Sequence, residues 1–155
     1  MPKLRVFTVC EKAIYDDSKV ASLICLFTSV NARTSADIPT DAAVPKEWAI
    51  YSMWDLEPAD KDKEFSIVIE MLWPDGKPFL AKRAYKLPIA GDARTHQHRL
   101  QMQAFPAGQA GKYIVRTWLE DAGVAVTEKA SLHIEVIHTR MSENEFAAEK
   151  NTTAF

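Results

Sequence analysis

The sequence is poor in the residues that build reactive or cross-linked sites. It has two cysteines and five glycines among 155 residues. The glycines form no GxGxxG or Walker phosphate loop, and no serine lies in a GxSxG elbow. Without a nucleophile, an acid–base pair or a cofactor cradle in the sequence, we predict a protein that is not an enzyme and uses no cofactor.

The two cysteines, Cys10 and Cys25, are too few for a disulfide scaffold and have no CxxC spacing. Both lie in apolar surroundings, so we expect two buried thiols in a reducing compartment. The segment Met1–Cys10 alternates polar and apolar residues and lacks the continuous apolar stretch of a signal peptide. We therefore expect a cytoplasmic protein.

Charge and hydrophobic length exclude further classes of partner. The formal net charge is -2, which gives no general attraction to nucleic acid or to acidic lipid. No apolar run approaches the roughly 20 residues that a membrane span requires. We expect neither nucleic acid nor a membrane as partner.

The clearest pattern present is an alternation of polar and apolar residues near the end of the chain. Lys112–Asp121 alternates, Ala122-Gly123 has the composition of a tight turn, and Val124–His138 alternates again. In the last segment Ile134 and Val136 fall on one face, and His133 and Glu135 on the other. A period of two is typical of an antiparallel sheet with one face in the core and one in solvent.

Similar short segments recur at intervals of about ten residues, which is typical of a β-sandwich. The predicted strands are Leu4–Cys10, Val20–Val30, Glu47–Glu57, Phe65–Trp73, Phe79–Leu87, Arg94–Phe105, Lys112–Asp121 and Val124–His138. The sequence Pro74-Asp75-Gly76-Lys77 predicts a hairpin turn. We expect an all-β protein, an antiparallel β-sandwich of about 7–9 strands.

The last residues differ in kind from the strands. We expect the sandwich domain to span residues 1–139 and a C-terminal tail to span 140–155. Ser142 and Glu145 have capping-box spacing, and Met141 and Phe146 have the spacing of a hydrophobic staple. These patterns predict either a short helix docked on the domain or a frayed tail.

Two segments carry a resemblance to known proteins. Gly111–Arg116 looks like the penultimate strand of immunoglobulin-like and fibronectin-type domains, in which a tyrosine hydroxyl binds back to the preceding corner, a role that Tyr113 matches. Ala13–Phe27 is similar to the opening of a family of small uncharacterised bacterial β-sandwich proteins, and Gly111–Val136 to its closing strand pair. The first resemblance covers mainly residues 65–138 and implies an antiparallel immunoglobulin-like β-sandwich. The second covers about half of the chain and implies the same kind of fold but no activity.

Two predicted strands are apolar on both faces, and this suggests how the protein functions. Leu23–Phe27 and Trp48–Leu56 each carry large apolar side chains on either side. Such a strand is either central, with a second cover outside the sandwich, or it faces a partner subunit. We therefore predict a binding and assembly module that acts through protein–protein contacts and forms a homo-oligomer.

Aromatic residues are the candidate contact residues of this module. Trp48, Tyr51 and Trp54 occupy both faces of one strand, and Trp118 shares the expected solvent face with Arg116. An outward tryptophan beside an arginine is typical of an interface anchor. The alternative is that a neighbouring loop or the C-terminal tail covers Trp118.

A pair of histidines supports a different function. His96 and His98 lie two residues apart on one strand and project to the same side, and imidazoles are common metal ligands. A metal site would need a third ligand from His133, His138 or Asp92. A partly buried polar strand end explains the pair equally well. The alternative function is thus a small-ligand or metal-binding sandwich, and a hydrolase on the same scaffold is a third hypothesis.

Overall fold

In a computed structural model that describes residues 1–18, 20–61, 63–89 and 94–145, the chain forms two stacked β-sheets. The strands are β1 (Lys3–Tyr15), β2 (Ala21–Leu26), β3 (Ser29–Thr34), β4 (Ala43–Asp55), β5 (Phe65–Leu72), β6 (Pro78–Leu87), β7 (Thr95–Pro106), β8 (Gly111–Asp121), β9 (Val124–Ala125) and β10 (Ala130–Arg140). A 3-10 helix, Pro58–Asp60, follows β4. No helix of the described residues has the length and apolar character needed to cross a bilayer.

The two sheets form the predicted immunoglobulin-like sandwich. The first sheet has the strand order β2-β1-β4-β7, and the second has the order β3-β10-β8-β5-β6, with β9 paired to β8. Large side chains from both sheets fill the space between them: Trp48, Ile50 and Trp54 from β4, Ile67 and Ile69 from β5, Tyr113 and Val115 from β8, and Ile134 from β10. The alternation predicted for β10 is confirmed, since Ile134 and Val136 are buried while His133 and Glu135 are exposed.

Both predicted hairpin turns are present. Trp73 N donates to Lys77 O at 2.9 Å, and Gly76 closes this turn with a φ of 82°. At the second turn Ala122 and Gly123 have φ values of 46° and 85°, which is the left-handed region that two-residue hairpins require. Glycine adopts this region without the cost that a Cβ atom imposes.

The contact expected of Tyr113 is also confirmed. Its hydroxyl donates to Gln109 O at 2.9 Å and accepts from Gln109 N at 3.3 Å. The ring is fully buried, and burial raises the pKa of Tyr113 to about 12. This tyrosine therefore fixes the loop between β7 and β8 to the start of β8.

The predicted single strand Val20–Val30 is two strands in different sheets. β2 pairs with β1 in the first sheet, whereas β3 pairs with β10 in the second. The chain leaves the strand conformation at Cys25, where φ is 53°, and crosses over after Leu26. The β3–β10 pair is parallel and is the exception to an otherwise antiparallel arrangement of the described strands.

The domain extends to Arg140, where β10 ends, one residue beyond the expected boundary. The capping box is present, because Glu145 Oε2 accepts from Ser142 N at 2.9 Å and Glu145 N donates to Ser142 Oγ at 3.3 Å. Residues 143–145 are helical. Phe146, and with it the predicted staple and the rest of the tail, lies outside the described residues.

Candidate functional site

The aromatic residues of β4 are buried inside the chain rather than presented to a partner. Trp48 and Trp54 face the second sheet and are at most 1% exposed. Trp48 Nε1 donates to Ala104 O at 2.9 Å, and Trp54 Nε1 to Ser52 Oγ at 3.1 Å. The prediction that these tryptophans are contact residues is wrong, because the second sheet covers the whole face on which they lie.

Tyr51 lies on the opposite face of β4 and is also buried. The first sheet curls so that the β1–β2 hairpin folds over its outer face, and Ala13 and Leu23 pack there beside Tyr51. The hydroxyl of Tyr51 donates to Gln97 Oε1 at 2.8 Å. Tyr51 therefore belongs to a second, smaller apolar cluster, and the prediction of an exposed contact residue needs the same correction.

Trp118 lies on the predicted outer face of β8 but is covered by its own chain. Lys129 Nζ is 4.3 Å and Lys82 Nζ 5.9 Å from the ring centroid, and Nε1 donates to Glu120 Oε1 at 2.8 Å. Arg116 is about one-third exposed, with Nη1 3.7 Å from Glu70 Oε2. The face was predicted correctly, but Trp118 is only 2% exposed, so Trp118 with Arg116 is not an interface anchor. The cover comes from β6 and from the segment before β10.

His96 and His98 are both partly buried, and burial lowers the pKa of each. The His98 ring lies 4.6 Å from that of Tyr85 on β6, and its pKa is about 4. Neither His98 Nε2 nor the Tyr85 hydroxyl has a hydrogen-bond partner among the described residues. The proposed third ligands are elsewhere: His133 is exposed, His138 Nε2 lies 2.7 Å from Ala107 O, and Asp92 is outside the described residues.

Four of the exposed large apolar side chains lie together along β2, at the edge of the first sheet. Ile14, Val20, Ile24 and Leu26 are 42%, 59%, 42% and 63% exposed. Lys12 pairs with Ile24 and Ile14 with Ser22, so Ile14 and Ile24 share a face. We call these four side chains and the outer side of β2 the β2 edge. The sequence predicted two apolar faces for this strand but not its position in the sheet. Because β2 is an edge strand, the alternative of a central strand is wrong for Leu23–Phe27.

The β2 edge differs in charge from the other sheet edges. Of the four edge strands, β3 contains Arg33, β7 contains Arg99, and β6 contains Pro78 and three basic residues, whereas β2 (Ala21–Leu26) contains no charged residue. Charged residues and proline on an edge strand commonly prevent pairing with another chain. No strand of the described part of the chain pairs with the outer side of β2.

The two thiols have different environments. Cys10 is fully buried in the cluster around Tyr51, and burial raises its pKa. Cys25 is exposed on β2, so the expectation of two buried thiols is wrong for this residue. The reason is the edge position of β2, which leaves one side of the strand without a neighbour.

A concave site lies on the outer face of the first sheet, between the hairpin tip and the start of β7. Its volume is about 750 Å³, and we call it the outer cleft. It is lined by Arg5, Tyr15, Ser18, Val20, Ala21, Tyr51, Met53, Thr95, His96 and Gln97. Sequence reasoning missed it, because the cleft depends on the curl of the hairpin over the sheet and no local pattern encodes that curl.

Comparison of the sequence with protein-family models and with curated proteins gave no match. Among solved structures, the chain is similar to the alkylpurine DNA glycosylase AlkC from Pseudomonas fluorescens bound to DNA containing an abasic site analogue. The TM-score is 0.47 at 10% identity, with 88% of this chain and 30% of that chain covered. The chain thus spans about 30% of the glycosylase. It is also similar to an immunoglobulin-like protein from Pseudomonas aeruginosa, with a TM-score of 0.38, 11% identity, and 88% and 96% of the two chains covered.

Proposed function

We propose that the protein is a non-enzymatic binding module that acts through protein–protein contacts at the β2 edge, and that its partner is a second copy of the chain. The observation that carries this proposal is an uncharged edge strand flanked by exposed apolar side chains. Burial of apolar surface favours association, and the unpaired backbone groups of an edge strand direct it.

The geometry that fits is antiparallel pairing of two β2 strands about a two-fold axis. Such an interface places the same surface of both copies in contact and joins two four-stranded sheets into one continuous sheet. Ile24 and Leu26 of each copy would then lie against the β2 strand of the other. The two-fold interface occupies the β2 edge of both copies. No β2 edge is then left for a third copy, so association stops at the dimer.

Sedimentation equilibrium of the wild type and of Ile24→Lys tests the proposal. We expect a dimer for the wild type and a monomer for the variant. A lysine at the centre of the interface would be buried opposite the same lysine of the second copy, and the two positive charges would repel each other. Ile137→Lys is the matched control, since Ile137 is 45% exposed on β10, close to the 42% of Ile24. A wild type that stays monomeric at all concentrations, or a control that dissociates equally, would overturn the proposal.

The finer expectations from the sequence extend this proposal. We assign the chain to the family of small bacterial β-sandwich proteins that residues 13–27 and 111–136 resemble, and we place its function in the cytoplasm. The hydrogen-bonded tyrosine of β8 supports the immunoglobulin-like part of the resemblance. The exposed, unpaired thiol of Cys25 supports a reducing compartment.

The second candidate function is binding of a small ligand or metal at His96 and His98. Two polar atoms without a partner, His98 Nε2 and the Tyr85 hydroxyl, favour it. A group of three metal-ligating side chains is absent from the described residues. Calorimetric titration with Zn²⁺ of the wild type and of a His96→Ala, His98→Ala variant tests it. Stoichiometric binding that the double variant loses would support this candidate, and no binding by the wild type would rule it out for zinc.

A further inference from the structure

We infer that the outer cleft is a binding site for a small aromatic carboxylate, and that it adjoins the β2 edge, with which it shares Val20. The cleft volume of about 750 Å³ lies within the range of small-molecule sites. Three properties support the inference: a wall held in place by an arginine, a floor of flat and polarisable side chains, and a described lining with one cationic group and no carboxylate.

The wall of the cleft is fixed by Arg99. This side chain extends from β7 across β4 to the hairpin, where Nη1 donates to Ala13 O at 2.7 Å. Its guanidinium carbon lies 5.3 Å from the centroid of the Tyr15 ring. A charged hydrogen bond and a cation–π contact together hold the hairpin over the sheet, so the cleft is formed before a ligand arrives.

The floor and sides of the cleft suit a flat apolar group. Tyr15 contributes ring surface, and Met53 contributes a polarisable thioether. Tyr51 is held in place by its hydrogen bond to Gln97 and by the buried cluster beneath it. Aromatic rings and thioethers pack favourably against the face or edge of another ring. A ligand with one or two fused rings matches this surface.

The charge of the lining favours an anion. Arg5 is the cationic group among the described lining residues, and that lining contains no aspartate or glutamate. Asp55 Oδ2 accepts from Arg5 Nε at 3.1 Å and orients the guanidinium. A guanidinium carries five N–H donors, so the terminal nitrogens can bind a carboxylate. The serine and threonine hydroxyls of Ser18 and Thr95 can hydrogen-bond the same group.

Titration with 2-naphthoate, monitored by ¹H–¹⁵N correlation spectra, tests the inference. We expect saturable shifts at residues that line the cleft, binding at least about tenfold weaker for the neutral 2-naphthamide, and none for octanoate, which lacks a ring. Absence of saturable binding by 2-naphthoate, or equal binding of the amide, would overturn the inference.

Variants separate the cleft from the rest of the surface. Arg5→Gln should weaken 2-naphthoate binding about tenfold, because it removes the charged partner of the carboxylate. Arg140→Gln is the matched control, since Arg140 is also an exposed arginine paired with an aspartate, Asp37. Equal weakening by both variants would mean nonspecific charge attraction and would overturn the inference. The same titration on Ile24→Lys should give unchanged affinity, because Ile24 does not line the cleft.

Discussion

Trp118 and the β2 edge are two apolar features that lie outside the space between the sheets. They differ in how far the rest of the chain covers them. Trp118 is a large indole on the outer face of the second sheet, and its own molecule covers it with Lys82, Lys129 and Glu120. At the β2 edge, smaller aliphatic side chains remain in solvent, and Leu26 is 63% exposed. The larger apolar group is thus the better hidden of the two.

The difference teaches that the size of an apolar side chain on a sheet face does not identify an interface. Lysine has a long aliphatic stem that covers apolar surface while its ammonium group stays in water. Trp118 has two such neighbours, and its N–H group has an acceptor. None of the described strands lies on the outer side of β2 to supply a cover, and this directs the proposal of a partner to that side.

Trp118→Ala is expected to cause the largest change in stability. The variant removes a buried indole and leaves its lysine cover without a surface to pack on. Loss of a buried tryptophan costs about 3–5 kcal/mol. Urea denaturation measures this loss, and sedimentation should show an unchanged dimer. A variant that stays as stable as the wild type but no longer self-associates would mean that the surface around Trp118, and not the β2 edge, is the interface.

Acid is expected to destabilise the protein through His98 on β7, which is the edge of the first sheet opposite to β2. The pKa of His98 is lowered from 6.5 to about 4 in the folded protein, first by burial and then by His96. The unfolded chain therefore binds a proton that the folded chain does not, between these two values. The free energy of unfolding should be constant above pH 6.5 and fall as the pH decreases from 6.5 to about 4.

Urea denaturation over this pH range, with the wild type and His98→Gln, measures the effect. The variant should lose most of the dependence between pH 6.5 and 4. His133→Gln is the control, because His133 is exposed on β10, and it should keep the wild-type profile. A decline of equal size in the wild type and in His98→Gln would contradict the assignment to His98.

Glu120→Gln sharpens the account of how Trp118 is covered. Glu120 Oε1 lies 2.6 Å from Lys82 Nζ and accepts the indole N–H, and Lys82 lowers the pKa of this carboxyl. The glutamine keeps an acceptor for the indole but loses the ion pair, so we expect a loss of about 1 kcal/mol in unfolding free energy. Acrylamide quenching of tryptophan fluorescence should increase, because Lys82 is no longer held over the ring. No change in either measurement would mean that Lys129 alone covers Trp118.

Leu26→Ala is expected to have the smallest effect on stability. An exposed side chain contributes little to folding, so the unfolding free energy of the monomer should change by less than about 0.5 kcal/mol. Measuring it in the Ile24→Lys background removes the contribution of association. In the otherwise wild-type chain the same substitution should weaken the dimer. A large loss of monomer stability would mean that β2 is part of the folding core.

The faces of individual strands could be predicted from the sequence, because a pleated strand has a fixed period of two. The alternation of β8 and β10 was interpreted correctly, and so was the tie between Tyr113 and the preceding corner. These features depend on residues that are neighbours along the chain. They cover the architecture of the sandwich; of its uncovered surfaces, the sequence indicated only that Leu23–Phe27 is apolar on both faces.

The location of the candidate sites could not be predicted, because it depends on contacts between distant segments. Lys82 and Lys129 reach Trp118 from other strands and loops, and no local pattern indicates their reach. Periodicity also continues smoothly from Leu23 to Phe27, although the chain leaves the first sheet after Leu26. As a result the sequence suggested Trp48, Trp54 and Trp118 as contact residues, while the β2 edge and the outer cleft emerge from the three-dimensional arrangement.

The parallel pairing of β3 with β10 has a consequence for the order in which the protein can be built. Val30 pairs with Val136, and β10 is the last strand among the described residues. During synthesis on the ribosome, β3 must wait until β10 has emerged, whereas β1, β2 and β4 can pair much earlier. Since contacts between residues far apart in the sequence form slowly, pairing of β3 with β10 is expected to be the last step of folding.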